Sequence, residues 1–202
     1  LNDEPEELNY IEFSVEALPT DSDQVYKLST GQNLISYIGP DSISLGSAIP
    51  DYVEPYFTSV ISDGKAAIKI NDQWYGSLNY MEQLKGYWVH VTEDVNFSFD
   101  SQVDLNRDGQ QVISKSIQLI NDLDLKFKFH QSSNQAFYFV DEIVIDNVEP
   151  SYGDWIIAFN DNRVVGSRIW SGELIDIPVM GSDGHVTTFG YCKEGDIPEF
   201  KL

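Results

Sequence analysis

The residue pattern with the most specific chemistry is Asp104-Leu105-Asn106-Arg107-Asp108-Gly109, which matches the front half of a calcium-binding loop. Oxygen ligands at alternating positions, followed by a glycine that allows a sharp turn, wrap a hard cation such as Ca²⁺. The twelfth position, where an EF-hand loop carries a bidentate carboxylate, is Lys115. We predict that Asp104, Asn106 and Asp108 hold Ca²⁺ together with a carboxylate from elsewhere in the chain. The alternative is an acidic linker turn without a metal.

A second pattern sets aromatic rings beside polar side chains. Sugar-binding faces use flat rings that stack on the C–H face of the sugar, while polar groups bond its hydroxyls. In residues 87–91, strand alternation puts Trp88 and His90 together on one face. The alternative is that the rings are core residues, because Trp and Phe dominate small β-cores. The predicted ligand-contacting residues are Trp88, Trp155, Trp170, Glu173, Asp176, Asp183 and His185.

Enzyme signatures are missing from the sequence. It contains no Gly-x-Ser-x-Gly, no His-Glu-x-x-His and no phosphate-binding glycine-rich loop. The three histidines, His90, His130 and His185, lack the spacing of metal ligands. We therefore predict a protein that is not an enzyme. Paired carboxylates are common in so acidic a chain, so a hydrolase remains as a third hypothesis.

The charge balance limits the kinds of partner. The 202 residues include 33 acidic and 12 basic ones, for a formal net charge of −21. Nucleic acids and anionic membrane surfaces require a basic face, so neither is an expected partner. No apolar run reaches the length of about 18 residues that a membrane span needs. The single cysteine, Cys192, excludes an intrachain disulfide and is predicted to be a small buried residue within a strand.

Two similar hairpin patterns organise the rest of the chain. Residues 153–170 read as a strand, a turn at residues 160–162 and a second strand, and residues 64–78 repeat this order around Asn71-Asp72. Asn and Asp suit such turns because they tolerate positive φ. We predict a mostly β protein of two tandem β-sandwich-like modules, with minor helix near residues 41–60. The predicted divisions are an acidic leader (1–9), a first module (10–103) and a second module (104–202).

The connection after the second hairpin is longer than its counterpart. Gly76 and Gly86 are 10 positions apart, whereas Gly166 and Gly190 are 24 apart. An insertion of this size is expected on the surface, where long loops often carry function. Residues 171–189 are therefore the first place where we look for a ligand site.

Local patterns predict further elements. Residues 25–38 read as two strands around Gly31, and residues 44–49 and 52–60 as short helices. Strands are predicted at residues 86–91, 126–130 and 135–148.

A strand is also predicted at residues 10–17, where Ile11, Phe13 and Val15 share one face. It has two interpretations. The strand either pairs within its own domain or adds to the sheet edge of a neighbouring chain.

Distinctive segments occur in both predicted modules. They are Gln32-Asn33-Leu34-Ile35-Ser36-Tyr37, Gly86-Tyr87-Trp88-Val89, Gln135-Ala136-Phe137-Tyr138-Phe139, Gly153-Asp154-Trp155, Ala158-Phe159-Asn160, Val165-Gly166-Ser167-Arg168, Asp176-Ile177-Pro178-Val179-Met180-Gly181 and Asp183-Gly184. Over most of residues 25–202 the chain resembles a β-rich repeat found at the ends of large secreted proteins of marine and environmental bacteria. The resemblance implies an extracellular, non-catalytic accessory module and supplies no catalytic residues.

The leading functional prediction is an extracellular or cell-surface module that binds a glycan or another surface ligand without catalysis. The alternative is a structural repeat subunit of an extracellular filament, coat or virion surface, assembled partly through the strand at residues 10–17.

Overall fold

The computed structural model describes residues 21, 23–99, 127–144 and 148–202. The predicted strand at 10–17, the calcium loop Asp104–Asp108 and the module boundary at 103/104 lie outside these residues. Below, the first part of the chain means residues 23–99, and the second part means residues 127–144 and 148–202.

The first part is built from nine short strands. They are β1 (Tyr26–Leu28), β2 (Gly31–Ser36), β3 (Ile43–Ser44), β4 (Phe57–Ser62), β5 (Lys65–Ile70), β6 (Gln73–Gly76), β7 (Tyr80–Met81), β8 (Gly86–Val91) and β9 (Val95–Phe97). Five of them form an antiparallel sheet of order β2-β8-β4-β5-β6, and two smaller pairs join β1 to β9 and β3 to β7. A four-residue helix, α1 (Leu45–Ala48), and a 3-10 turn at Glu54–Tyr56 precede β4.

Two tight turns fix the register of the β4-β5-β6 meander. Asp63 and Gly64 connect β4 to β5 with φ values of 47° and 70°. Asn71 and Asp72 connect β5 to β6 with φ values of 50° and 62°. Positive φ at both central residues gives the turn a twist that matches that of the flanking strands. The predicted hairpin at residues 64–78 is confirmed.

The inner face of the five-stranded sheet packs on an aromatic cluster. Tyr87, Val89 and Val91 of β8 are all buried. The Phe99 ring meets those of Tyr37 and Phe97 edge to face, with centroids 4.9 and 5.0 Å apart. Such edge-on geometry aligns the positive ring edge with the negative ring face.

The second part contains five strands in two small antiparallel sheets. The strands are β10 (Gln135–Val140), β11 (Trp155–Asn160), β12 (Arg163–Ile169), β13 (Ile175–Met180) and β14 (Glu199–Lys201). β10 pairs with β13, and β11 lies between β12 and β14. The predicted hairpin at residues 153–170 is confirmed by the β11–β12 pair. A 3-10 turn at Val186–Thr188 lies between β13 and β14.

β12 approaches β13 very closely at one residue. A Cβ atom added to Gly166 would lie only 1.6 Å from the carbonyl oxygen of Pro178. Only a residue without a side chain allows the two backbones to come this near.

The structure confirms a mostly β protein and short helical turns within residues 41–60, and it corrects five local predictions. The helix predicted at residues 52–60 ends early, because β4 begins at Phe57 and buries Phe57 and Val60 in the core. Residues 128–130 are not a strand, and the strand at β10 stops at Val140. Cys192 is half-buried and forms only an isolated bridge with Gly181, outside the named strands.

The fifth correction concerns the insertion predicted on the surface. Residues 175–180 form strand β13, in which every residue is buried. Its alternate residues Ile175, Ile177 and Val179 belong to the second hydrophobic core. Apart from Asp176, the residues of β13 are apolar, which suits a strand that is covered on both faces.

The hydrophobic core of the first part contains two buried tyrosines, Tyr37 and Tyr87, and only one of their hydroxyls has a hydrogen-bond partner among the described residues. The Tyr87 hydroxyl accepts a hydrogen bond from the Glu82 N–H at 2.8 Å, whereas the Tyr37 hydroxyl has no partner among the described residues. Burial raises the pKa of Tyr37 to about 12, so its hydroxyl stays protonated at neutral pH.

We expect Tyr37→Phe to leave the free energy of unfolding unchanged or to raise it by about 1 kcal/mol, because it removes a buried, unsatisfied hydroxyl. Tyr87→Phe is the matched control and should lower it by about 1 kcal/mol, because the Glu82 N–H loses its acceptor. Urea unfolding of both variants measures the difference. Equal destabilisation by the two substitutions would contradict this account.

Candidate functional site

Two residues of the predicted ligand site lie in the interior. Trp170 is only 6% exposed and belongs to the second hydrophobic core. Asp176 is fully buried on β13. Neither side chain faces solvent in this structure.

Asp176 instead joins the two parts of the chain. Its carboxylate accepts hydrogen bonds from the backbone N–H of Ser77 and, at 3.0 Å, from the Ser77 hydroxyl. The Arg168 guanidinium donates to the same carboxylate at 2.7 Å and to the Gly64 carbonyl at 2.9 Å. β12 and β13 of the second part are thereby tied to the open end of the β5–β6 hairpin, where Gly64 precedes β5 and Ser77 follows β6. We call these contacts the Asp176 junction.

The electrostatics of this junction are those of a buried ion pair. Burial raises the pKa of Asp176, while the Arg168 charge and the Ser77 donors act in the opposite direction. All the groups that contact its carboxylate oxygens are donors, so they fit the ionised form. Asp176 is therefore a structural carboxylate.

Asp183 shapes the loop after β13. Its carboxylate accepts hydrogen bonds from the Thr188 hydroxyl at 2.6 Å and the His185 N–H at 3.1 Å. These donors hold the pKa of Asp183 well below its usual range. The capped turn presents Val186 and Phe189 to solvent, with 89% and 72% of each residue exposed.

The remaining predicted residues have separate environments. Glu173 is exposed in the turn before β13, and His185 is exposed in the loop after it. Trp155 is half-buried at the start of β11, opposite Ile169. With Trp170 and Asp176 in the interior, the candidates of the second part do not share one solvent-facing site.

Trp88 occupies the position that strand alternation predicts. It lies on β8 between the buried residues Tyr87 and Val89, points to the opposite face and is 48% exposed. Its cross-strand neighbours are Leu34 of β2 and Ile61 of β4. Leu34 is 62% exposed and Ile61 is half-buried, so an apolar row crosses three adjacent strands.

Sequence reasoning missed Leu34 and Ile61. The available signal was the alternation of β2, in which a buried Ile35 requires an outward Leu34. The row itself depends on β8 lying between β2 and β4, which local sequence does not reveal.

The whole outward face of the five-stranded sheet lacks formal charge. The strand registers assign thirteen side-chain positions to this face, and none is Asp, Glu, Lys or Arg. We call this set the uncharged face. Its residues are Gln32, Leu34, Ser36, Ser59, Ile61, Ala66, Ile68, Ile70, Gln73, Tyr75, Gly86, Trp88 and His90.

Polar groups flank the apolar row on both sides. Gln32 and Ser59 are the cross-strand neighbours of His90, one step along the strands from Trp88. The His90 Nδ1 atom lies 2.7 Å from the Thr58 hydroxyl, at the irregularity in β4. Ser36 lies on the other side of the row, opposite Gly86. An apolar strip with hydroxyl, amide and imidazole groups beside it can stack against a ring and bond its substituents.

Other kinds of site find no support among the described residues. Within residues 21, 23–99, 127–144 and 148–202, no group of three or more His, Cys, Asp or Glu side chains could hold a metal ion. In the same ranges, no helix is both long and apolar enough to cross a membrane.

Comparison with family models, curated proteins and solved structures found no match for this chain.

The Asp176 junction gives a stability prediction. Asp176→Ala should lower the free energy of unfolding by about 3–5 kcal/mol, because it leaves the partly buried Arg168 without its carboxylate. The control is Glu199→Ala, which breaks the exposed Lys201–Glu199 pair and should cost less than about 1 kcal/mol. Chemical denaturation measures both values. The junction would lose its assigned role if the two substitutions had similar effects.

Proposed function

We propose that this protein is a non-catalytic binding module that holds a glycan on the uncharged face. The observation that carries the proposal is the exposed Trp88 ring in the middle of a strand, with Leu34 and Ile61 beside it. Isolated exposed apolar residues are ordinary on protein surfaces, but a row across adjacent strands is typical of an interaction site. The polar groups that flank the row suit a ligand with hydroxyls around an apolar ring face.

The open geometry of the face indicates that a single ligand molecule binds with low affinity. A pocket encloses most of a ligand, whereas a sheet face covers only one side of it. Apolar burial contributes about 25 cal/mol per Å², so the small area available here limits the affinity. We expect a dissociation constant of about 0.1–1 mM for a short oligosaccharide, or about −4 to −5.5 kcal/mol.

Two acidic residues that a hydrolase might have used are already engaged. Asp176 is buried in the ion pair with Arg168, and Asp183 accepts hydrogen bonds with a lowered pKa. A general acid needs a pKa near the working pH and access to substrate. These properties favour a binding role over catalysis.

We expect Trp88→Ala to weaken glycan binding at least about tenfold, which corresponds to about 1.4 kcal/mol and is within the range for an aromatic contact residue. Tyr52→Ala is the control, because Tyr52 is an aromatic residue with 63% exposure that lies outside the sheet. An array of immobilised polysaccharides, followed by calorimetry with any oligosaccharide that binds, measures the effect. Unfolding midpoints establish that both variants are folded.

The same experiment tests the alternative of a structural subunit. If no glycan binds, and Trp88→Ala instead breaks up an oligomer seen by sedimentation, the uncharged face is a contact between copies and the glycan proposal fails. Equal glycan binding by the wild-type protein and Trp88→Ala would also overturn it.

The calcium site remains part of the proposal. Ca²⁺ held by Asp104, Asn106 and Asp108 would stabilise the folded state by mass action. We expect Ca²⁺ to raise the melting temperature relative to EDTA, and Asp108→Ala, which removes the oxygen ligand, to abolish the rise. Asp161→Asn, in the exposed β11–β12 turn, should leave it intact. An identical melting temperature with and without Ca²⁺ would identify the loop as a linker.

We also propose that the two parts are tandem sandwich-like modules derived from one unit, and that the protein works outside the cell or at its surface. The shared hairpin order at residues 64–78 and 153–170 supports the first statement, and the family resemblance supports the second. An experimental structure in which the two hairpins do not superpose would refute the duplication. Surface labelling of intact source cells tests the location.

A further inference from the structure

The uncharged face is bordered by carboxylates at the turns of its own sheet. Asp63 lies in the β4–β5 turn and Asp72 in the β5–β6 turn, with side chains 67% and 93% exposed. Glu93 and Asp94 follow β8 and are also exposed. A chain with a net charge of −21 adds a negative field over the whole surface.

Two of these border carboxylates are paired with lysines, Asp63 with Lys85 at 3.0 Å and Asp72 with Lys69 at 3.6 Å, but no lysine lies on the face itself. Lys65 and Lys69 belong to the opposite side of β5, and the Lys69 side chain is only 8% exposed. Lys85, just before β8, contacts Glu82 at 2.7 Å and Asp63 at 3.0 Å, and these carboxylates raise its pKa. No Lys or Arg of the five strands therefore points outward beside Trp88.

This arrangement disfavours anionic ligands. A uronate or sulfate group is normally bound by Arg or Lys through charge-assisted hydrogen bonds. On this face it would lose hydration without gaining a cationic partner, and the acidic border would repel it. An amino sugar would be attracted by the border but would find no carboxylate on the face itself. That attraction acts at long range and is screened by salt.

We infer that the uncharged face selects electrically neutral polysaccharides and rejects anionic ones. The inference rests on the proposed glycan-binding function and adds the chemical class of the ligand. Recognition of a neutral chain depends on ring stacking and on bonds to hydroxyl groups, neither of which changes greatly with ionic strength.

The test uses the intact protein with three polymers: a neutral glucan, a uronate polymer and a partly deacetylated glucosamine polymer. Between about 0.05 and 0.5 M NaCl, we expect binding of the neutral polymer to change less than about twofold, because no ion pair is involved. Trp88→Ala should abolish this binding. The uronate polymer should not bind at either salt concentration, and any binding of the amino polymer should fall with salt and survive Trp88→Ala.

A lysine substituted onto the uncharged face provides an independent check. Ser36 is exposed at the edge of the face, and Ser36→Lys should produce weak, salt-sensitive binding of the uronate polymer that the wild-type protein lacks, as expected for one exposed ion pair. Asn162→Lys adds the same charge at the exposed β11–β12 turn and should have no such effect.

The outcomes separate the two proposals. Trp88-dependent binding of the uronate or the amino polymer, at an affinity equal to or above that of the neutral one, would overturn the inference and leave the binding function standing. The absence of Trp88-dependent binding to any polymer would overturn the binding function itself.

Discussion

The ion pair between Arg168 and Asp176 is the contact on which the arrangement of the two parts depends. A carboxylate without any exposed surface is costly unless donors surround it, and here the donors come from both parts of the chain. Ser77 ends the β5–β6 hairpin, and Gly64 begins it, so two points of one hairpin are held. Apolar burial supplies stability on each side, whereas this pair sets the position of one sheet relative to the other.

The junction also explains why one side of the sheet has two kinds of surface. Ala66 has outward register on β5, yet it is only 1% exposed, close to the point where Ser77 and Gly64 meet the second part. At the other end of β5 the outward residue Ile70 is 40% exposed, and on β4 and β8 the outward residues are half-buried Ile61 and 48% exposed Trp88. The second part therefore covers only the Ala66 end of the uncharged face and leaves the β8 and β2 flank accessible.

Local chemistry was sufficient to predict much of this fold. Asn71-Asp72 and the Asn160–Asn162 segment specified both hairpins, and alternation in residues 87–91 correctly assigned Trp88 to the outward face. The prediction that residues 171–189 form a surface insertion failed because spacing was given more weight than composition. Ile175–Met180 is apolar except for Asp176, a pattern that suits a buried strand, although Pro178, which lacks an N–H, argues against a central one. The Arg168–Asp176 contact joins strands of different sheets, so no periodic pattern could reveal it.

The close approach of Gly166 to the Pro178 carbonyl limits which residues can replace Gly166 during evolution. Any side chain at this position would push β12 away from β13, and Arg168 and Asp176 lie on those same two strands. Descendants of this chain are thus expected to keep glycine there even where surrounding surface residues drift. Whether a divergent sequence keeps glycine at position 166 would then indicate whether its two parts contact each other in the same way.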